Sequence, residues 1–276
     1  MTIHKTLLIT GVSSGFGRAL AEEALAAGHR VVGTVRSREA QHDFESLSAD
    51  AHGRVLDVTD FAATDSVVSE IEASLGPIDV LVNNAGYGHE GIVEESPLSE
   101  IRRQFEVNVF GAVAMIKALL PAMRRRRRGH ILNITSMGGF ITMPGIAYYC
   151  GSKFALEGIS EALGKELQPF GIAVTAVAPG SFRTDWAGRS MARTPRSIAD
   201  YDASFDPIRK AREDKSGQQL GNPRKAARAM LAVIAAEHPP AHLLLGSDAL
   251  GLVRVKLAAL EGEIAEWQAL TLSTDG

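Results

Sequence analysis

Two side chains whose types and spacing could support acid–base chemistry are Tyr149 and Lys153. Four positions apart on a predicted helix, they share one face. Tyrosine is a poor acid or base at its reference pKa of about 10. A neighbouring ammonium favours the phenolate. At about 4 Å and an effective dielectric of about 20, this attraction contributes roughly 4 kcal/mol. We therefore expect Lys153 to lower the pKa of Tyr149 toward the range of a general acid or base. Tyr148 is rotated off the lysine's face and is assigned to packing or to a substrate wall.

A glycine-rich segment, TGVSSGFG at positions 10–17, lies between the first predicted strand and the first predicted helix. Glycine allows a ligand to approach the backbone closely, and the start of the helix offers free N–H groups and a positive dipole end to a pyrophosphate. The spacing is G-x-x-x-G-x-G and differs from the G-x-G-x-x-G fingerprint. The expected cofactor contacts in this turn are Gly11, Ser13, Ser14, Gly15, Phe16 and Gly17.

Short apolar runs alternate with longer helical stretches along the chain. Strands are expected at Lys5–Thr10, Arg30–Val35, Gly53–Asp57, Ile78–Asn83, Gly129–Ser136, Ile172–Ala178 and His242–Gly246. Helices are expected up to Ala27, through Ser74, and over Pro97–Met123 and Ala147–Phe170. Apolar strands separated by helices favour a parallel sheet covered on both faces. The predicted fold is α/β, one Rossmann-type doubly wound parallel sheet of about seven strands with helices on both faces, in a single domain over residues 1–276.

Two regions depart from this alternation. The segment Asp185–Asn222 is polar, contains prolines and shows no strong period, so we expect a substrate loop that closes as a lid or, as the alternative, a partly disordered insertion. The tail Ala249–Leu270 has apolar residues at helical spacing, and we expect this helix to pack on the body or on a partner subunit.

Composition argues against several partner classes. The formal net charge of −3 gives no basic field that would favour nucleic acid or an anionic membrane. The run Arg124–Arg128 is expected to cap a helix and face solvent. The chain has one cysteine, Cys150, and its N-terminal apolar run is too short for a signal peptide or a membrane span. These features predict a cytoplasmic protein. The eight histidines show no metal-ligand spacing, and no metal site is expected.

Taken in order, the motifs resemble the short-chain dehydrogenase/reductase family. The turn at 10–17 is similar to the family's cofactor loop, NNAG at 83–86 to its segment after the fourth strand, and YCGSK at 149–153 to its Y-x-x-x-K motif. Asn108 and Ser136 occupy the positions of the family's asparagine and serine, and Pro179-Gly180 with Thr184 is similar to its nicotinamide segment. The resemblance covers about Lys5–Thr184 and extends more loosely to the seventh strand.

The resemblance implies an oxidoreductase that moves a hydride between NAD(P) and a carbonyl/alcohol pair. In such an enzyme Tyr149 exchanges the proton with the substrate and Ser136 holds the substrate oxygen. Lys153 also binds the nicotinamide ribose, and Asn108 anchors a water that relays protons from Lys153. Further implied cofactor contacts are Asp57, Val58, Asn84, Ala85, Gly86, Pro179, Gly180, Phe182 and Thr184. The family also implies a homo-oligomer, dimer or tetramer, paired through the helix from Pro97 and the helix of Tyr149.

The end of the second strand favours NADP(H) over NAD(H). An acid there would bond the ribose 2′-OH and repel a 2′-phosphate, whereas this chain has Arg36, and Arg38 beyond it, with no acid before Glu39. Either arginine could carry the phosphate contact.

Two other functions are compatible with the glycine-rich turn. A nucleotide-sensing protein on the same fold would not need Ser136, Tyr149 and Lys153 together, and an epimerase or dehydratase would have a shorter glycine spacing and a larger C-terminal part. An apolar substrate pocket is expected from Tyr87, Met137, Met143, Trp186 and the segment from Asp185. The resemblance leaves ketones, steroid-like alcohols, aromatic carbonyls and acyl thioesters open as substrates.

Overall fold

Seven parallel strands form the central sheet. The structure is a computed structural model and describes residues 4–184, 186, 188 and 190–276. Nine strands are numbered along the chain: β1 Thr6–Thr10, β2 Arg30–Val35, β3 Ala51–Val55, β4 Val80–Asn83, β5 Gly88–Glu90, β6 Gly129–Ile134, β7 Ile172–Pro179, β8 Met191–Arg193 and β9 His242–Leu245. The central sheet has the order β3-β2-β1-β4-β6-β7-β9, and every pairing in it is parallel. The predicted doubly wound sheet is therefore confirmed.

Helices cover both faces of this sheet. They are α1 Gly15–Ala26, α2 Arg38–Glu45, α3 Phe61–Leu75, α4 Leu98–Phe105, α5 Gly111–Arg126, α6 Ala147–Leu167, α7 Asp202–Asp214, α8 Pro223–Ala235 and α9 Ser247–Leu272. One core packs α1 and α8 on the sheet through side chains such as Leu20 and Met230. The other packs α3 and α5 through side chains such as Ile71 and Met115. The buried strands read as continuous apolar runs because helices cover them on both sides.

The strand order places a topological switch between β2 and β4, both of which pair with β1. In doubly wound sheets, the crevice at the carboxyl ends of strands next to such a switch is where ligands bind. The glycine-rich turn follows β1, and Asn84 follows β4. Both segments therefore lie at that edge.

Two predicted strand ends are wrong by about two residues. The third strand ends at Val55, not Asp57, because Asp57 turns the chain by accepting hydrogen bonds from the backbone and hydroxyl of Thr59 at 2.9 and 2.7 Å. The strand after α5 ends at Ile134, and Ser136 instead caps a short helical turn by accepting from the N–H of Gly138 at 3.0 Å.

The helix predicted over Pro97–Met123 runs through Arg126 and contains a π-helical turn, Glu106–Phe110. By length and composition the stretch Leu98–Arg126 could cross a membrane, but its apolar face packs on the sheet, as core helices of α/β folds do. The arginine run is expected to cap the helix and face solvent; Arg128 does face solvent, whereas Arg126 is half-buried. Arg126 pairs with Glu72 at 2.7 Å and Arg128 with Asp79 at 2.9 Å.

The segment expected as a loop, Asp185–Asn222, contains regular structure. Strand β8 pairs in parallel with β5, and α7 occupies most of the second half. Asp185, Ala187 and Arg189 lie outside the described residues. The α7 helix escaped prediction because ion pairs hold it to the body and only one of its residues, Phe205, is buried.

Candidate active site

A cleft of about 1870 Å³ opens at the carboxyl ends of the central strands. Its lining includes most of the residues that the sequence nominates: Gly11, Ser13, Ser14, Gly15, Phe16, Arg36, Asp57, Val58, Asn84, Ala85, Gly86, Ser136, Tyr149, Lys153, Pro179, Gly180, Phe182 and Thr184. Gly17 and Asn108 do not line it. The structure thus brings together residues separated by more than 170 positions along the chain.

The glycine-rich turn is held against the end of β4. The N–H groups of Gly11 and Val12 both donate to the carbonyl oxygen of Thr34 at 3.1 Å. The side-chain amide of Asn84 donates to the carbonyl oxygens of Thr10 and Gly11 at 2.8 and 2.9 Å. Asn84 therefore fixes the shape of the turn as well as lining the cleft.

Gly17 is a packing residue and not a lining residue. A Cβ at this position would overlap the carbonyl oxygen of Gly11 and the side-chain nitrogen of Asn84. Its expected contact with a cofactor stays a prediction, although Gly17 is not among the residues that line the cleft. The glycine is required because helix α1 approaches the turn too closely for any side chain.

The start of α1 fits a dinucleotide pyrophosphate. Ser14 precedes the helix in an extended conformation, and within the described chain its side chain does not cap the first turn. The first N–H groups of the helix are therefore left to an anion, which the helix dipole also favours. Gly15, with φ of +60°, adopts a conformation that side chains disfavour and keeps the surface open.

The adenosine end of the cleft has mixed charge. Arg36 lines the cleft, whereas Arg38 is absent from the lining and donates to Gln41 at 3.2 Å. Burial would raise the pKa of Asp57, but hydrogen bonds from Thr59 and the charges of Arg36 and Arg103 outweigh it and lower that pKa. Of the two arginines left open by the sequence, Arg36 is the one facing the cleft.

Tyr149 lies in the first turn of α6 on the floor of the cleft. It is buried in a small apolar cluster with Ile146 and Cys150, and its ring packs against Trp186 with centroids 5.0 Å apart. This burial raises the pKa of Tyr149, and a hydrogen bond with Ser136 acts in the opposite direction. The expected lowering of that pKa by Lys153 is therefore wrong for the ligand-free chain, because desolvation dominates.

Lys153 is buried behind Tyr149. Its Nζ donates to the carbonyl oxygen of Ile134 at 2.8 Å and lies 5.8 Å from the centre of the Tyr149 ring. Burial lowers the pKa of Lys153 to about 8, and the charge of Glu157 opposes this shift. The hydrogen bond to Ile134 holds the lysine at the end of β6. Tyr149 and Lys153 lie one turn apart on the same helix, as the sequence predicts.

Glu157 is a buried charge that the sequence interpretation missed. It lies one turn beyond Lys153, accepts a hydrogen bond from the hydroxyl of Thr135, and contacts His242 Nδ1 at 2.9 Å. Burial raises its pKa despite these partners. The available signal was its position four residues after Lys153, on the helix face that also carries Tyr149.

Asn108 lies in the π-helical turn and points away from the cleft. Its side chain accepts from the N–H of Tyr87 and donates to the carbonyl oxygen of Tyr87 and to the hydroxyl of Ser152, all at 3.1 Å. It therefore joins the segment after β4 to α6. The water relay implied for Asn108 stays a prediction.

One side of the cleft, the expected substrate side, carries many apolar residues. The four residues that the sequence nominates line it, together with others from β8, α7 and α9: Tyr87, Met137, Met143, Trp186, Met191, Ile208 and Leu252. Tyr87 Oη and Trp186 Nε1 are buried and have no hydrogen-bond partner in the described parts of the chain. These polar atoms could bind a polar group on an otherwise apolar ligand.

Tyr148, the neighbour of Tyr149, faces the protein interior. Its hydroxyl donates to the carbonyl oxygen of Ser96 at 3.2 Å, and its ring stacks on His89. The predicted assignment to packing is confirmed. The pair of adjacent tyrosines therefore contains one residue in the cleft and one in the body.

Comparisons with known proteins agree with this geometry. The family model described as short chain dehydrogenase matches residues 5–194. Oxidoreductase BOA17 of Botryotinia fuckeliana is 35% identical over 98% of this chain and 99% of its own length. A 3-ketodihydrosphingosine reductase of Bacteroides thetaiotaomicron is 39% identical over 87% of each chain. The crystal structure of a short-chain dehydrogenase from Streptomyces avermitilis superposes with a TM-score of 0.92 at 40% identity, covering all of both chains.

These relatives favour the enzymatic interpretation over the nucleotide-sensing alternative. The match spans β1 through β8 and includes every sequence motif and the whole floor of the cleft. This chain therefore belongs to the short-chain dehydrogenase/reductase family of oxidoreductases.

Proposed function

We propose that the protein is an NADP(H)-dependent carbonyl reductase or alcohol dehydrogenase whose proton donor and acceptor is Tyr149. The observation that carries the proposal is the grouping of Tyr149, Ser136 and Lys153 on the floor of a cleft that continues to the glycine-rich turn. A bound nicotinamide dinucleotide supplies the hydride or accepts it. The remaining chemistry is a proton transfer that the chain's own residues perform.

In the reducing direction the substrate carbonyl oxygen lies between the hydroxyls of Ser136 and Tyr149. The carbonyl carbon receives the hydride as the oxygen takes the proton of Tyr149, which yields an alcohol and an oxidised cofactor. Burial raises the pKa of Tyr149, which keeps its hydroxyl protonated and ready to donate. The ammonium of Lys153 then stabilises the phenolate that remains, since the low-dielectric surroundings strengthen their attraction.

NADP(H) is favoured because Arg36 faces the cleft at the adenosine end. A charge-assisted hydrogen bond to a 2′-phosphate contributes about 1.5–3 kcal/mol. This corresponds to roughly a 10- to 150-fold preference, and exposure of Arg36 should bring the value toward the lower end.

The proposed substrate is a ketone or secondary alcohol with an extended apolar chain. The cleft beside Tyr149 is lined by methionines, Ile208 and Trp186, and such side chains accommodate flexible apolar groups. Tyr87 Oη and Trp186 Nε1 would bind one polar substituent near the reacting carbon. The relative named 3-ketodihydrosphingosine reductase supports a ketone as the reacting group.

The test of the catalytic assignment is Tyr149→Phe. We expect turnover of a ketone to fall by ~10² to 10⁴, as removal of a general acid does, with binding of NADPH unchanged. Oxidation of NADPH is followed at the nicotinamide absorbance band with ketones of graded chain length. Tyr148→Phe is the matched control, since that hydroxyl faces Ser96 and not the cleft. Normal turnover in Tyr149→Phe would refute the assignment, and indifference to chain length would refute only the substrate class.

The test of the cofactor preference is kcat/KM for NADPH and NADH with one shared ketone. Arg36→Asp should reverse the order, because it removes the cation and adds repulsion toward a 2′-phosphate. Arg38→Asp is the control and should leave the order unchanged. Equal use of both cofactors by the wild-type enzyme would contradict the interpretation of Arg36 and leave the reductase assignment intact.

A further inference from the structure

One face of helix α7 lines the substrate side of the cleft. The residues of this face are Ile208, Ala211, Arg212 and, directly after the helix, Lys215. Positions three, four and seven residues after Ile208 lie along the same side of a helix. The face is therefore apolar at its beginning and cationic at its end.

Arg212 is the more enclosed of the two cations, with a side chain that is 13% exposed. It contacts the carboxylate of Glu90 and donates through Nη2 to the carbonyl oxygen of Pro144 at 3.2 Å. Its Nε–H makes no hydrogen bond within the described part of the chain. Because a guanidinium has five N–H donors, Arg212 keeps donors available for a ligand in the cleft.

Arg212 also lies close to the catalytic floor. Pro144, whose carbonyl oxygen it binds, is five positions before Tyr149, and the neighbouring Met143 packs on the apolar cluster that contains Tyr149. Burial raises the pKa of the Cys150 thiol, and the charge of Arg212 acts against this rise. The guanidinium therefore acts on the residue next to Tyr149.

A second donor lies on the same side of strand β5. The Cε2 atom of Trp186 is 3.0 Å from the position that a Cβ on Gly88 would take. Alternate residues of a strand face the same side, so Gly88 and Glu90, which contacts Arg212, face one way and lie about 7 Å apart. The adjoining Trp186 Nε1–H can only donate, and it has no partner in the described chain. This part of the cleft therefore requires a ligand with acceptor atoms.

The acidic residues of the cleft lining belong to elements other than α7: Asp57, Glu100, Glu106 and Asp248. The carboxylate of Asp248 is occupied by the N–H of Ser181 at 2.7 Å. The α7 face that lines the cleft carries no acid. Its field therefore favours an anion on the ligand over a neutral or cationic group.

We propose that Arg212, assisted by Lys215, binds a carboxylate of the substrate, so that the enzyme acts on keto acids whose carbonyl lies a few carbons from the carboxylate. A guanidinium binds a carboxylate through two parallel hydrogen bonds, which fixes the orientation of the ligand as well as its charge. The carbon chain of the substrate then lies along Ile208 and the methionines. The inference rests on the proposed reductase function, because it names the group that accompanies the reacting carbonyl.

The experiment compares kcat/KM for linear keto acids and their primary amides, with NADPH and the full-length enzyme. The acids place two, three or four methylene groups between the carbonyl and the carboxylate, and each amide has nearly the same shape without the charge. For the best chain length we expect the wild-type enzyme to prefer the acid by roughly 10- to 100-fold, the size of one charge-assisted hydrogen bond. Arg212→Gln should abolish this preference, and Arg212→Lys, which keeps the charge, should retain part of it. A loosened wall would affect acid and amide alike, so the ratio between them reports the carboxylate contact alone.

Arg209→Gln is the matched control. Arg209 lies on the same helix and contacts Glu213 at 3.9 Å, but it is not among the residues that line the cleft, so its loss should keep the wild-type ratio. Equal use of acids and amides by the wild-type enzyme, or loss of the preference in Arg209→Gln, would overturn the proposal and leave ketone reduction intact. A fall in NADPH affinity in Arg212→Gln, measured by calorimetry, would assign the arginine to a cofactor phosphate and would also overturn it.

Binding without turnover separates this proposal from the proposed function. Failure to reduce any of the acids or amides would contradict the reductase assignment. Calorimetric titration of the enzyme–NADP⁺ complex with a linear alkanoate and with its amide then still tests the carboxylate contact. Tighter binding of the alkanoate, lost in Arg212→Gln, would support the contact, and equal binding of the two would refute it.

Discussion

The cofactor wall and the substrate wall of the cleft are held together by different interactions. The cofactor wall consists of the ends of β1, β2 and β4 and the start of α1. The Asn84 amide joins these segments by hydrogen bonds to backbone carbonyl oxygens. At Gly17 the helix α1 also lies in close contact with the glycine-rich turn. The substrate wall includes β8 and α7, which are fastened to β5 behind them: β5 and β8 pair as strands, and the buried carboxylate of Glu90 contacts an arginine from β8 and one from α7. Steric fit defines one wall, and charge pairing defines the other.

This difference indicates which wall can accept changes in its residues. A wall made of main-chain atoms and small residues has little conformational freedom. This suits a pyrophosphate, whose shape is always the same. A wall fastened by side-chain ion pairs can keep its frame while the apolar lining residues change, which suits a variable substrate. Single substitutions should therefore damage one wall without affecting the other.

The largest effect is expected from Gly17→Ala. The added methyl group would overlap the carbonyl oxygen of Gly11 and the Asn84 amide, neither of which can move without breaking the turn. Overpacking of this kind typically costs about 1–3 kcal/mol, and we expect NADPH affinity to fall by ~10- to 100-fold or more. Calorimetric titration with NADPH measures this loss.

Gly158→Ala is the matched control for Gly17→Ala. It lies in α6 with no atom within 4 Å of the added Cβ, so it should leave NADPH binding unchanged. A Gly17→Ala protein that binds NADPH as tightly as Gly158→Ala would show that the turn tolerates a side chain and that steric fit does not define this wall.

The next largest effect is expected from Glu90→Gln. The Glu90 side chain is fully buried, pairs with Arg193 at 2.8 Å and also contacts Arg212, which donates to the carbonyl oxygen of Pro144 at 3.2 Å. Removing one partner of a buried ion pair costs up to about 3–5 kcal/mol of stability, and Arg193 keeps its contact with Glu213, so the loss should lie at or below the lower end of this range. We expect the ketone KM to rise ~10-fold or more, with NADPH affinity unchanged.

Glu213→Gln provides the comparison for Glu90→Gln. Glu213 contacts the same Arg193 at 3.3 Å but is half exposed, so its loss should change the ketone KM by less than about fivefold. Loss of NADPH affinity in Glu90→Gln would show that the two walls are not independent.

The sequence predicts the cofactor wall better than the substrate wall, and the reason is physical. The cofactor contacts follow directly after strands, so their positions are fixed once the strand order is known. Glu90 and Arg212 lie 122 positions apart, and neither apolar periodicity nor turn chemistry reports such a pair. Strand β5 has three residues, and among the described residues it pairs with β8 alone, which is equally short. The helical spacing of Tyr149 and Lys153 could be predicted from the sequence. The desolvation that raises the pKa of Tyr149 could not be predicted, because it depends on packing against Trp186 and Ile146.

The smallest effect is expected from Glu157→Gln, which acts on the catalytic floor shared by both walls. Burial lowers the pKa of Lys153 to about 8, and the negative charge of Glu157 partly opposes that shift. Glutamine removes the charge while keeping the shape, so the pKa of Lys153 should fall further. In the proposed mechanism reduction requires the ammonium form of Lys153, so we expect activity to be lost as the pH rises through this pKa.

The alkaline limb of the kcat/KM profile should therefore move to lower pH in Glu157→Gln, with a loss of roughly two- to fivefold near pH 8 and little loss near pH 6. Glu166→Gln, an exposed position on the same helix, is the control and should keep the wild-type profile. A purely structural role for Glu157 would lower activity equally at all pH values, because His242 and Thr135 would lose their partner without any change in the charge near Lys153. A decrease in activity that is equal at all pH values would thus contradict the electrostatic role. A shift of the alkaline limb to lower pH, with normal activity at low pH, would show that Glu157 acts through the protonation of a catalytic group.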